Sequence, residues 1–326
     1  MDNTYQGKNV IITGGLGFIG SNLAIRLVDL GAKVTIVDAK ILETGWNLKN
    51  IDPIKDKIKL SVHNINSEKM VPLIKKADYL FNLAGVLSHV DALANPLHDL
   101  EINTVDHLKL LLMCHEHNPE LKIIYTGTRN QYGRILKNPV KEEYSFNPID
   151  PNGISEIATE MYHNLYYKLF GLRSVSLRLC NVFGPRHQMR HSKQGVLNWF
   201  IRQVMDGAVI NLMGGGEQIR DCIYIDDLVE ALVILGETNN VWGEEFNIGC
   251  FPISLKSFVE NVIKVSGDGK FTVTVFPPDR KVIEIGDYIA DYTKLKKFTN
   301  WKPKYRLEEA IQLTIDYYQK NKKYYW

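Results

Sequence analysis

The stretch Val10-Ile11-Ile12-Thr13-Gly14-Gly15-Leu16-Gly17-Phe18-Ile19-Gly20 decides the fold. An apolar, β-branched run stops at a cluster of glycines, and a helical pattern from Ser21 to Leu30 starts at once. Val34-Thr35-Ile36-Val37-Asp38 then reads as a second strand ending in a carboxylate. Gly15-x-Gly17-x-x-Gly20 has the spacing of a dinucleotide-binding turn. The first glycine allows a tight turn, the second lets backbone approach a pyrophosphate, and the third lets helix and strand pack closely. Gly14, Gly17, Phe18, Ile19 and Gly20 are therefore expected to hold a pyrophosphate at the positive end of the helix. Asp38 falls where a carboxylate accepts hydrogen bonds from an adenosine ribose. A 2′-phosphate beside that anion is repelled, so NAD is favoured over NADP.

Composition bounds the rest. A chain of 326 residues, 45% hydrophobic and 23% charged, buries one large core or two moderate ones. A formal net charge of +2 with no dense Lys/Arg block gives no footing for nucleic acid or a membrane surface. Cys114, Cys180, Cys222 and Cys250 lie far apart, without metal-ligand spacing, and read as reduced thiols in a cytoplasmic protein. No metal site is expected. The polar N-terminus does not read as a signal peptide, and no apolar run reaches the ~18 residues of a membrane span.

Strand and helix patterns alternate through the first half, which predicts an α/β, doubly wound parallel Rossmann sheet. Strands are expected at Asn9–Thr13, Lys33–Val37, Ile58–Val62, Tyr79–Leu83, Lys122–Thr126 and Ser174–Leu179, with long helices at Leu97–Asn118 and Gly153–Leu169. Residues 1–180 form the NAD-binding domain in this reading, and 181–326 a smaller C-terminal α/β substrate domain. Segment 221–250 is expected to return to the first. Ligands in such sheets sit beyond the carboxyl ends of the strands.

Four blocks resemble the extended short-chain dehydrogenase/reductase family, the epimerases and dehydratases of nucleotide sugars. They are Thr13–Gly20, Asn82-Leu83-Ala84-Gly85, Arg178–Arg186, and Gly214-Gly215-Gly216-Glu217-Gln218-Ile219-Arg220-Asp221-Cys222-Ile223-Tyr224-Ile225-Asp226-Asp227. With Asn247-Ile248-Gly249 and Trp301-Lys302-Pro303, the resemblance spans nearly the whole chain in order. It implies that Leu83, Ala84, Gly85 and Thr126 line the cofactor. Asn64 and Ile65 hold the adenine edge, where an amide can both donate and accept. Arg220 and Asn181 would hold a diphosphate, a task suited to a guanidinium fork. Asn211 and Met213 flank the base, and Arg280 is a second diphosphate candidate. The helix pair implies a homodimer through a four-helix interface.

The catalytic block departs from the family's pattern. The family's reaction needs a hydroxyl after the fifth strand and Tyr-x-x-x-Lys on the next helix, where ammonium and nicotinamide charge depress the phenol pKa. Thr128 supplies the hydroxyl. In Asp150-Pro151-Asn152-Gly153-Ile154-Ser155-Glu156, however, Asn152 stands at the tyrosine position and Glu156 at the lysine position. An amide cannot act as a phenolate. The base is left open; Glu156 is the first choice because it lies on the correct helix face. His89, Cys180 and His187 are further titratable candidates, and His89 is also placed among the substrate-contacting residues. The Asp-Glu pair that serves the family's 4,6-dehydratases is replaced by Arg129-Asn130, which argues against that elimination.

The expected function is NAD-dependent epimerisation of a UDP- or CDP-linked sugar through transient oxidation of a ring carbon. Two alternatives stay open: a catalytically silent protein that binds NAD and a nucleoside-diphosphate sugar, and a nucleotide-sugar dehydratase or reductase.

Overall fold

A computed structural model describes residues 4–42, 44–276 and 284–326. The glycine-rich opening folds as its pattern dictates. Strand β1 (Asn9–Thr13) ends at the glycines, helix α1 (Phe18–Asp29) follows, and β2 (Lys33–Val37) returns parallel beside β1. Strands β3 (Lys59–Ser61), β4 (Tyr79–Asn82), β5 (Lys122–Thr128) and β6 (Ser174–Leu179) continue the sheet. A short β7 (Asn181–Phe183) precedes β8 (Val209–Met213), β9 (Ile219–Tyr224) and β10 (Glu245–Asn247). The strands β11 (Phe251–Ser254) and β12 (Lys270–Thr274) complete the set.

The central sheet is parallel and has the order β10-β6-β5-β4-β1-β2-β3. The chain runs outward from β1 to β3, then crosses back to β4 and runs the other way. The switch therefore falls between β1 and β4, the position where a ligand crevice opens in such sheets. β10 comes from beyond the sixth strand yet pairs with β6 at the far edge. Two small sheets lie outside: β11-β9-β7, and the parallel pair β12-β8.

Strand alternation splits the core into two layers. Val10 and Ile12 enter one buried cluster with Phe81, Ile124 and Leu232, while Ile11 enters the other with Leu80, Ile123 and Leu110. Both faces of the sheet are covered, so its strands read as continuous apolar runs.

Helix α2 (Val71–Ile74) precedes β4, and α3 (His89–Ala94), α4 (Pro96–Leu100) and α5 (Asp106–His117) follow it. A π-helical turn, Glu101–Val105, joins the last two, so the single long helix expected there is interrupted. Helix α6 (Pro151–Phe170) is unbroken, capped by the Asp150 side chain on the Gly153 N–H (2.8 Å) and ended by Gly171 in the left-handed region. Its amphipathicity is inverted. The sheet side carries Asn152, Ser155, Glu156, Thr159, Glu160 and His163, all buried, whereas Ile154, Met161 and Leu169 are 56%, 61% and 63% exposed. Beyond it come α7 (Val196–Met205), α8 (Ile225–Glu237), α9 (Leu255–Ser266), and two helices at Thr293–Thr299 and Leu307–Asn321. Among the described residues, no helix is long and apolar enough to cross a membrane.

Candidate active site

The switch point is tied by one hydroxyl. Thr13 Oγ1 donates to Asn82 Oδ1 (2.8 Å) and accepts from the Leu83 and Ala84 N–H groups (3.0 and 3.2 Å). That bond set draws the ends of β1 and β4 together. A Cβ on Gly14, whose φ is +64°, would lie 2.6 Å from the Leu83 carbonyl oxygen, and one on Gly20 would lie 2.5 Å from the Gly14 oxygen. Both positions therefore require glycine. Gly17 differs. A Cβ there meets only the Gly14 oxygen at 3.2 Å, and the residue borders the cleft. It is also the N-cap of α1, with no side chain capping the helix. The first turn thus presents backbone N–H groups and a positive dipole end to a ligand, which fits a dinucleotide pyrophosphate.

Asp38 completes the cofactor end. Its Oδ2 accepts from Leu16 N–H (3.0 Å) and its Oδ1 from Lys40 N–H (2.9 Å). Burial pushes this carboxyl up, against the pull of those two bonds. Asn64 behaves differently from the sequence expectation. Its amide donates to Asp106 (2.8 Å) and its carbonyl accepts its neighbour Ile65 N–H (2.6 Å), so the groups meant for adenine are engaged within the chain.

A single cleft of about 820 Å³ runs from this corner across the sheet to β8 and β9. Gly14, Phe18, Ile19, Gly20, Asp38, Asn64, Ile65, Leu83, Ala84, Gly85 and Thr126 border its cofactor end. Thr128, Glu156, His89, Asn181, Asn211, Met213 and Arg220 border the remainder. Arg280 lies outside the described residues. Asn152 is not brought to the cleft. It is 1% exposed, and its amide donates to the Val86 carbonyl (3.1 Å) and to Asp99 (3.2 Å), pinning α6 to the segments around α4.

The structure also does not leave Glu156 as a free carboxylate. Tyr125 OH donates to it at 2.6 Å, and burial raises its pKa to about 8, with Asp99 and Glu160 adding to the rise. Burial therefore favours the protonated form of this carboxyl. Thr128 Oγ1 accepts the Asn130 N–H (3.3 Å) and stays at the cleft wall.

One residue was missed as a ligand-binding candidate. Arg129, read only as the loss of a dehydratase acid, borders the cleft beside Arg220. Its Nε donates to Asn181 Oδ1 (3.2 Å), its guanidinium lies 5.6 Å from the Tyr288 ring centre, and its buried Nη1 has no hydrogen-bond partner. Burial, and then repulsion by Arg220, lower its pKa to about 10. Arg220 itself donates to the Gly286 carbonyl (2.7 Å) and to Glu284. Two guanidiniums with one carboxylate between them leave a buried positive site that an anion stabilises. The signal in the sequence was Arg129 itself, at the end of the fifth strand where the crevice opens. Among the described residues, no group of three or more His, Cys, Asp or Glu side chains has metal-site geometry.

Comparison with known proteins agrees with this architecture. Residues 10–249 match the NAD dependent epimerase/dehydratase family. The chain is 27% identical to the CDP-paratose 2-epimerase of Salmonella typhi, covering 94% of this chain and 98% of that protein. It superposes with a TM-score of 0.86 on a UDP-glucose 4-epimerase from Thermotoga maritima solved with UDP-glucose, at 30% identity over 96% of this chain and 99% of that one. A UDP-N-acetylglucosamine 4-epimerase from Methanobrevibacter ruminantium, solved with UDP-N-acetylmuramic acid, gives 0.88 at 28% identity, over 97% and 99% of the two chains. This protein belongs to the NAD-dependent epimerase/dehydratase family of extended short-chain dehydrogenases, and its cofactor is NAD.

Proposed function

We propose that this protein is a nucleoside-diphosphate-sugar epimerase that inverts one ring carbon by transient oxidation. The observation that carries the reading is the continuity of the cleft. One end has the glycine corner and Asp38, the other has the Arg129–Arg220 pair, and Thr128 lies between them. NAD, when bound, supplies a hydride acceptor that later returns the hydride, so no net redox change results. Thr128 hydrogen-bonds the reacting sugar hydroxyl, and Arg129, Arg220 and Asn181 hold the diphosphate. Asn211 and Met213 flank the nucleobase. Glu156, its protonated form favoured by burial, donates toward the nicotinamide ribose rather than taking a proton from sugar. Residues 1–180 with 221–250 hold NAD, and the rest of 181–326 holds the nucleotide sugar.

The exposed apolar stripe of α6 supports a homodimer. Ile154, Met161, Leu165 and Leu169 recur along one face, and Leu97 and Leu112 are exposed on α4 and α5. Such a stripe on a long helix is the signature of a buried partner face. The four free cysteines suit the reducing cytoplasm.

The test incubates purified protein with NAD and a panel of UDP- and CDP-sugars, followed by proton NMR of the sugar. The expected result is a new epimer with no change in nicotinamide absorbance. Stoichiometric NADH formation marks a dehydrogenase, loss of water marks a dehydratase, and tight binding with no conversion marks a silent binding protein; each overturns the epimerase reading.

A further inference from the structure

The epimerase reading leaves a proton without a carrier, because Asn152 is not at the cleft and Glu156 is buried against the Tyr125 hydroxyl. We infer that His89 is the acid–base group, with Asp150 as its positioning residue; the inference rests on the epimerase reading.

His89 begins α3 and borders the cleft on the side facing the end of β5. Its Nδ1 lies 2.8 Å from Asp150 Oδ2. Asp150 is held in turn, its Oδ1 accepting the Gly153 N–H as the cap of α6. Burial alone would raise the Asp150 carboxyl. The hydrogen bond and charge of His89, with the Gly153 and Asn152 N–H groups, outweigh burial and keep it below the usual carboxylate range. An ionised carboxylate at Nδ1 fixes the proton there and leaves the Nε2 lone pair outward. Nε2 faces the Asn130 side-chain amide at 3.0 Å, two residues beyond Thr128. That amide marks where a donor to Nε2 sits, and a sugar hydroxyl that displaces it beside Thr128 donates there instead.

The step balances. The ring C–H bond breaks with its electron pair passing to the oxidised cofactor, while the hydroxyl O–H bond breaks with its proton passing to Nε2. The carbinol becomes a ketone and the imidazole an imidazolium, stabilised by Asp150. Reversal on the other ring face returns both. Among the described residues, the charged groups on the helix of His89 or on the same cleft include the Asp91–Lys193 ion pair (3.2 Å), Arg129, Glu156, Arg220 and Glu284. Asp91 is satisfied by Ser88 and Lys193, which leaves Asp150 as the carboxylate that orients the ring.

Two variants and two readouts test this. His89→Gln keeps the reach and the hydrogen-bonding capacity that a structural histidine needs, and His89→Ala opens a space at the cleft wall. Both are expected to keep nucleotide-sugar binding by calorimetry and to lose ~10²-fold or more in kcat. Added imidazoles should restore His89→Ala, with rates that rise with the pKa of the added base. In nitrogen-15 NMR of the wild type, the neutral His89 ring should be the Nδ1–H tautomer, and Asp150→Ala should reduce that preference. Full activity in His89→Gln overturns the role, and so does an inactive His89→Ala that binds substrate but is not rescued. An unchanged tautomer in Asp150→Ala overturns the positioning part. Wild-type protein that converts no sugar removes the epimerase reading itself, and this role with it.

Discussion

The two ends of the cleft obey different rules. At the cofactor end, backbone does the work: Gly14 and Gly20 are fixed by contacts with main-chain oxygens, and Thr13 ties β1 to β4. At the other end, side chains do it, and Asn152 and Glu156 are a buried amide and a carboxyl whose pKa burial raises. Gly14 and Gly20 tolerate almost no change, because a Cβ at either collides with main-chain oxygen. Side-chain sites can be rebuilt, because another group within reach takes over the chemistry. The comparison predicts that damage at the first end is total, and at the second graded.

The largest effect is expected from Gly20→Val, whose Cβ falls 2.5 Å from the Gly14 oxygen and 2.8 Å from Gly15 Cα. The glycine corner cannot form, and NAD binding by fluorescence titration should be lost. Near-native affinity would break the claim that backbone contact governs this end.

Arg129→Met should have opposite effects in the two states. Nucleotide-sugar affinity by calorimetry is expected to fall by roughly 2–5 kcal/mol, the usual cost of removing one partner of a buried charge pair. Without ligand the variant should unfold at higher urea than the wild type, because a buried cation with an unpartnered nitrogen is gone. A loss in both states would show Arg129 to be structural.

Restoring the family tyrosine should fail. Asn152 sits in a fully packed position bonded to Val86 and Asp99, so Asn152→Tyr is expected to destabilise the fold by about 1–3 kcal/mol through overpacking. Urea unfolding checks this. A stable variant with raised kcat would mean the position opens to the cleft after all.

A further effect concerns pH. Glu156 has its carboxyl raised from 4.5 to about 8 by burial. The folded state therefore holds its proton more tightly than the unfolded state does. Its contribution is full below pH 4.5 and is lost as pH rises through about 8. Glu156→Gln should flatten the fall in stability across that interval, seen as the difference between the two urea midpoints at each pH. Parallel curves for both proteins would place the carboxylate in solvent.

Much of the fold was legible because it follows from local patterning. The run Val10–Thr13, the glycines and Asp38 announce a strand, a turn, a helix and a second strand within one short segment. The strand Ser174–Leu179 was placed to the residue. The π turn at Glu101–Val105 was not, since no proline or glycine marks it. The buried ion pair of Arg178 with Glu160 (2.6 Å) was equally hidden, because its two residues sit on different elements, on β6 and α6. Helix α6 shows the difficulty most clearly. Its apolar residues face out and its polar ones face the sheet, so periodicity marks the helix without marking which face is inside.

The sequence by itself determined the Rossmann sheet, the glycine corner and its cofactor, because those depend on backbone geometry that residue type and spacing specify directly. Only the tertiary structure decided what the replaced catalytic positions do. Whether a carboxyl is ionised, an amide turned inward, or an imidazole braced by a distant aspartate depends on burial and on partners far along the chain. Asp150 and His89 are sixty-one residues apart, and folding alone brings them together.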